Sequence, residues 1–316
     1  MISKEESFID SNSQYYRIGN TKYGGRGCFA IEEIENDTII HISESPLSST
    51  ISKPFKKEVC QLCFKYEFGK YMKFKVSQKV NKDQHCSIWF CSQECEDNFK
   101  KHDVNDIYIN NLLNCEKYYL LGLSKPEIEA KEPKGDLNET INEEWAKVDL
   151  WNEKIANMKP SKLLNLIPRI DDSEYLEIKY VIGVLFQIFE GETSENRELS
   201  LFKELQSSEI EKYHRYPYLL YSYINIYKFV KLTCSKELQK YITPDSIRSI
   251  IGKNLSNAFG IWSESNSKDE DKEFLGFGVY PSASFFNHSC DPNLIKIRIK
   301  EKLTKRIARM VFQMSM

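Results

Sequence analysis

The chain has no excess of either charge, with 44 Lys and Arg against 46 Asp and Glu in 316 residues. That balance excludes broad electrostatic attraction to nucleic acid, though not a local patch. It also lacks a long hydrophobic run: the longest apolar stretch, around Tyr180 to Phe189, is too short to span a bilayer. Residues 1–16 are polar and acidic, unlike a signal or transit peptide. A soluble, intracellular protein is therefore expected. No internal repeat is found. The nine cysteines are an odd number without an export signal, so metal ligation or buried free thiols are expected in place of a disulfide framework. What is present is ample apolar material, 41% hydrophobic and 13% aromatic, enough to pack one large or two medium domains.

Along the chain the order reads strands, cysteine module, helices, strands. Arg17-Ile18 and Cys28-Phe29-Ala30 flank a glycine-rich turn, Gly24-Gly25-Arg26-Gly27, and Thr38 to Ile42 is β-prone. A loop rich in Lys, Glu, Pro and Gly runs from Ser124 to Leu137. Thr140 with Glu143 reads as a capping-box helix start, with Trp145, Val148 and Ile155 behind it. Ile178, Val181, Ile182, Leu185 and Phe189 form an apolar helical stripe, and Tyr216 to Leu232 reads as a buried helix. Thr243-Pro244-Asp245 opens a further helix, whose buried face is Ile247, Ile250, Ile251 and Phe259 and which ends near Gly260. Ser263 to Glu273 is a charged loop. Phe274 to Val279 holds two glycines among apolar residues, a strand under close backbone approach. Ile295, Ile297 and Ile299 alternate with basic residues, the pattern of a half-exposed strand.

The cysteines cluster. Cys60-x-x-Cys63 and Cys91-x-x-x-Cys95 supply four thiolates in two close pairs, which suits tetrahedral zinc; a set of buried free thiols is the competing reading. Four protein ligands leave no open position, so the expected role is structural. Glu96 to His102, just beyond, reads as helical. The stretch Phe90-Cys91-Ser92-Gln93-Glu94-Cys95 with a downstream His resembles the MYND zinc finger. In that pattern a second zinc shares interleaved ligands, for which Cys86 and His102 are the candidates here. The usual thiol before Cys86 is missing and Asp106 stands where a final Cys would follow, so one zinc is expected, with His85 or Cys115 as the only substitutes for a second set.

Three further segments are rich in glycine and asparagine: Gly25-Arg26-Gly27-Cys28-Phe29-Ala30, then Asn257-Ala258-Phe259-Gly260-Ile261, then Gly276 to Phe286 running into Asn287-His288-Ser289-Cys290-Asp291-Pro292-Asn293. Glycines without Cβ let backbone approach a ligand closely. Taken alone, the first is a turn and the second an Asn at a helix end. The third, Gly-x-Gly-x-Tyr-Pro-x-x-Ser-x-x-Asn-His-Ser-Cys-x-Pro-Asn, resembles the SET family almost without gaps. Together the segments resemble the SET and MYND domain-containing protein-lysine methyltransferases over about residues 15–316.

The resemblance implies an α+β SET fold of small sheets, interrupted by a finger and a helical insert. Its parts would be 15–55 (early SET strands), 56–106 (MYND-like finger), 107–242 (helical insert) and 243–316 (C-terminal SET core with the cofactor motif). It implies S-adenosylmethionine held by Gly25, Arg26, Gly27, Asn257, Asn287 and the His288 backbone, structural zinc, and a protein substrate carrying a target lysine. Tyr280 would be a buried support, and Cys290 a ligand of a further zinc. The family's Gly-Glu-Glu-Leu-like run, its reacting-site Tyr and its post-SET cysteines are not found after Asn293. That Tyr would lie beyond Met316, so no residue of this chain is assigned as the catalyst. A truncated chain with little or no activity is therefore expected, its full-length relative being the enzyme. The competing reading is a non-catalytic interaction module. A nucleic-acid-binding protein is not expected, although the tail from Lys296 to Arg309 carries seven Lys or Arg and one Glu. A monomer in nucleus or cytoplasm is expected.

Overall fold

The computed structural model describes residues 13–23, 25–127, 132–263, 272–300 and 308–314. The polar start, Gly24, residues 128–131 of the first loop, 264–271 of the charged loop and 301–307 of the basic tail lie outside the described residues. So do Ser315 and Met316.

The architecture is α+β, small antiparallel sheets around a helical block. A hairpin of β1 (Tyr16–Asn20) and β2 (Arg26–Ala30) opens the chain, followed by β3 (Ile39–Ser43) and β4 (Ser48–Ile51). A second hairpin, β5 (Phe74–Lys79) and β6 (His85–Phe90), leads into α1 (Gln93–Lys101). The helical block is α2 (Ile107–Gly122), α3 (Leu137–Ala156), the single turn α4 (Pro160–Leu163), α5 (Asp172–Glu190) and α6 (Arg197–Glu204). It continues with α7 (Glu209–Arg215), α8 (Leu219–Thr233), the turn α9 (Lys236–Gln239) and α10 (Pro244–Asn257). The last strands are β7 (Ala258–Trp262), β8 (Phe274–Val279), β9 (Leu294–Lys300) and β10 (Ala308–Met314). They return to the early ones, in the orders β3-β10-β9 and β4-β8-β7.

Helix α5 is the spine of the core. Ile178, Tyr180, Val181, Ile182, Val184 and Leu185 are all fully buried. Its start is secured by a capping box: Asp171 accepts from the amides of Ser173 and Glu174, and Glu174 accepts from the Asp171 amide. Gly183 lets the helix lie on β4, where a Cβ would run into Ser48, whose hydroxyl donates to the Tyr180 carbonyl at 2.8 Å. Beneath it β8 sits between β4 and β7. Gly276 there has φ +152°, and a side chain would collide with the Thr50 carbonyl, the close approach expected of that strand.

Helix α1 begins at Gln93, three residues before the sequence reading, and three boundaries of the helical block differ as well. Helix α3 begins before Thr140: Asp136 caps the Glu139 amide at 2.9 Å, and the Thr140 hydroxyl turns back to the Asp136 carbonyl. The Asp-x-x-Glu pattern of residues 136–139 won over Thr140 and Glu143. Helix α8 begins at Leu219, and Tyr216 and Tyr218 before it are exposed. Helix α10 starts where expected, with the Thr243 side chain accepting from the Ser246 amide and Pro244 in its first turn. It ends at Asn257, however. Phe259 and Gly260 belong to β7, because pairing with Gly278 and Phe277 of β8 outweighs the helical period. The alternating strand is β9, at a sheet edge with Ile295 exposed.

Candidate functional site

Two constellations stand out, the cysteine quartet and the meeting of the glycine- and asparagine-bearing segments. In the quartet, the ligand atoms of Cys60, Cys63, Cys91 and Cys95 all lie within 4.8 Å of one another. Cys63 to Cys91 and Cys91 to Cys95 are each 3.6 Å between sulfurs. Zinc–sulfur bonds of ~2.3 Å in a tetrahedron put sulfurs about 3.8 Å apart, so the spacing fits the ion. The local fold produces this geometry. The first pair lies on a turn closed by the Phe64 amide on the Cys60 carbonyl, and the Gln61 amide ties that turn to Trp89 at the end of β6. Ser92 then caps α1 by accepting from the Cys95 amide at 3.2 Å, so the helix start fixes where the fourth thiol points. Against the lowering effect of Cys60, hydrogen bonds with Cys91 and Cys95, and then burial, push Cys63 up, whereas hydrogen bonds from Cys60 and Cys63 bring Cys95 down to about 7.

The other cysteine-module residues do not gather into a second centre. Among the described residues, no other group of three or more ligating side chains comes together. The Cys86 thiol faces the Gln78 carbonyl, His102 ends α1, and Cys115 is buried inside the helical block. His85 lies on an open cleft.

In the other constellation the structure brings together segments far apart in sequence. The Asn287 amide donates to the Arg26 carbonyl at 3.0 Å, and Gly27 leaves the room for it: a Cβ at Gly27 would stand 2.8 Å from the Asn287 amide nitrogen. The Arg26 guanidinium reaches Glu204 at the end of α6 and lies 5.4 Å from the Phe285 ring centre. Asn257 is joined less directly. Its amide donates to the Lys253 carbonyl at 2.7 Å and to the Gln206 carbonyl at 3.3 Å, and the Ser284 hydroxyl donates to its carbonyl at 3.4 Å. Gln206 also faces Gly25, whose φ is +71°. His288 is exposed, its Nε2 3.3 Å from Cys290 Sγ. Tyr280 is 1% exposed, with Phe259 edge-on to it.

The sequence reading missed a hydrogen-bonded chain alongside this meeting point. The Tyr16 hydroxyl lies 2.9 Å from His41 Nδ1, the Ser282 hydroxyl 3.1 Å from Nε2, and Ser43 3.0 Å from Ser282. The Ser282 amide donates to Glu198 on α6. Phe286 leans on Tyr16 and His41 and stacks on Phe312 at 4.3 Å. Burial, reinforced by Arg197, lowers His41 to about 4, so the imidazole is neutral and donates to one neighbour while accepting from the other. Burial raises Tyr16, and raises Cys28 beside it to about 12. No local signal marks Tyr16 or His41, which sit in ordinary β-prone sequence, and Ser282 falls at an unspecified position of the third motif segment.

No family model matches the chain. It is 29% identical over 310 residues to a "Potential protein lysine methyltransferase SET6" of Saccharomyces cerevisiae, covering 90% of this chain and 82% of that protein. It is 38% identical over 52 residues to the "Histone-lysine N-methyltransferase ASHR2" of Arabidopsis thaliana, covering 16% and 13% of the two chains. It is 42% identical over 57 residues to a SET and MYND domain-containing protein of Dictyostelium discoideum, covering 18% and 13%.

Proposed function

From the kinship of this chain with the SET and MYND domain-containing methyltransferases, we propose that it binds S-adenosylmethionine and serves methyl transfer to a lysine of a protein substrate. The observation that carries the reading is the Asn287–Arg26 contact at Gly27, which joins two segments 261 residues apart. The residues fit a cofactor with both charged and planar parts. Gly25 in the turn and Gly27 in β2 keep side chains out of the way, and Asn257 and Asn287 bring amides able to donate and accept.

The cofactor, when bound, supplies a methyl group on a sulfonium sulfur. The residues proposed to hold it are Gly25, Arg26, Gly27, Asn257, Asn287 and the backbone of His288. Their contribution is alignment, since holding two reactants in line accounts for much of such a rate. The acceptor lysine must arrive neutral, which an apolar, water-poor surrounding favours. The same physics acts on the protein's own Lys179, lowered to about 8 by burial. The cysteine quartet would hold one structural zinc. The parts would be the early strands (15–55), the finger (56–106), the helical insert (107–242) and the motif-bearing strands (243–316).

Isothermal titration with S-adenosylmethionine, followed by transfer of its labelled methyl group to cell protein, tests this reading. Binding with weak transfer is the expected result. Absence of binding refutes it and leaves a protein-interaction module, and binding without transfer leaves a cofactor-binding protein that is not an enzyme.

A further inference from the structure

The stretch leading into the finger and through its first half carries charge out of proportion to the chain. From Lys53 to His85 there are nine lysines and three acidic residues, while the whole chain is at −2. The rest of the chain is therefore acidic by eight charges. On β5 the lysines alternate: Lys75 and Lys79 lie opposite Trp89 and His85 of β6, while Phe74 and Val76 pack against the core.

Part of this charge faces one open cleft of about 710 Å³ between the finger and α2. Lys53, Lys56 and Lys57 line it, as do Lys75 and His85. Two of these charges are answered within the protein, Lys53 by Asp172 at 3.1 Å and Lys56 by Glu116. The acids on the cleft are Glu58, Asp83 and Glu116. Glu116 also accepts from the Ser87 amide, and Glu58 from the Gly69 amide. Among the described residues, Lys57 and Lys75 have no carboxylate within ion-pair distance. Each lies over an aromatic ring instead, Lys57 4.9 Å from the centre of Tyr71 and Lys75 4.9 Å from that of Trp89. Those two rings are 6.3 Å apart. The cleft thus presents two ammonium groups without a carboxylate partner, each over one of two neighbouring aromatic rings.

We propose that this cleft docks an Asp- or Glu-rich segment of a partner protein. The cleft's four lysines outnumber its three carboxylates, and the two lysines without a carboxylate partner favour an anionic occupant. Each lysine already covers one face of its ring, where a nucleic-acid base would otherwise stack, while carboxylates reach the ammonium groups without displacing anything. Strand β5 pairs only with β6 among the described residues, so its outer edge offers main-chain hydrogen bonds to an extended peptide. The docking is independent of methyl transfer and needs no cofactor.

The experiment is fluorescence anisotropy of a labelled deca-glutamate peptide on the full chain, at low and at moderate salt. Binding that weakens with salt is expected. Lys57→Glu with Lys75→Glu should weaken it at least about tenfold, and reversal of Lys159 and Lys162, exposed elsewhere on the surface, should leave it unchanged. Lys57→Gln with Lys75→Gln keeps long side chains over the rings and should weaken binding severalfold, which decides the matter if the charge reversal disturbs the finger. The proposal is overturned if the peptide does not bind, if the cleft variants bind like wild type, or if both reversed pairs weaken binding equally. It is also overturned if a single-stranded oligonucleotide of equal length binds more tightly than the peptide.

Discussion

Replacing Gly27 by alanine asks whether the two halves of the proposed cradle act as one. The added Cβ would stand 2.8 Å from the Asn287 amide nitrogen and 3.1 Å from Thr21 Cγ2. Ordinary contact begins near 3.4 Å, so Asn287 must retreat by about 0.6 Å. Its hydrogen bond to the Arg26 carbonyl, now 3.0 Å, would stretch to about 3.6 Å, which is no longer a hydrogen bond. A lost hydrogen bond of this kind costs about 1 kcal/mol, and a displaced amide that also served the cofactor about as much again. Together these give about 2 kcal/mol, roughly thirtyfold in cofactor affinity. The assay is isothermal titration of S-adenosylmethionine against wild type, Gly27→Ala, Asn287→Ala and the double variant. If alanine acts through Asn287, the double variant binds no worse than Asn287→Ala alone, because the truncated side chain leaves the methyl group room. Wild-type affinity in Gly27→Ala, or fully additive losses in the double variant, would refute the reasoning.

Three further outcomes are expected. Elemental analysis should find about one zinc per chain, lost along with finger stability in Cys60→Ser or Cys95→Ser; a ratio near two would contradict the single quartet. His41 is held near 4 when folded but protonates near 6.5 when unfolded, so the unfolded state binds more protons in that window and stability falls as the pH falls from 6.5 to 4. The loss is at most about 3 kcal/mol. His41→Gln should flatten the melting temperature against pH relative to wild type, and parallel curves would sink the assignment. Gly276→Ala should destabilise by several kcal/mol, because the new methyl group meets the Thr50 backbone and the positive φ disfavours any side chain; a wild-type melting temperature would show that the sheet yields.

Features with short-range physics are the ones legible in the sequence. The cysteine quartet can be read because its ligands come as two local pairs, and the α10 start because Thr243, Pro244 and Ser246 settle it among themselves. The glycines of β8 announce a close approach without saying to what; the neighbour, Thr50, is more than two hundred residues away. The α10 end is misplaced by the helical period because β7 exists only by pairing with β8. At the candidate site Arg26, Asn257 and Asn287 can be named in advance, but Glu204 at the end of α6 and Gln206 just beyond it, which face them, carry no motif. His41 is invisible for the same reason: its partners Tyr16 and Ser282 lie 25 and 241 residues away.

The pairing of Ser48–Ile51 with Gly276–Val279 also sets a timetable for synthesis. On a ribosome adding roughly 5–20 residues per second, β4 emerges some ten to fifty seconds before the strand that completes its sheet. The finger and the helices, whose contacts are mostly nearer in sequence, can assemble in that interval. Strands β3 and β4 cannot, and their open edges wait as natural clients for a holding chaperone.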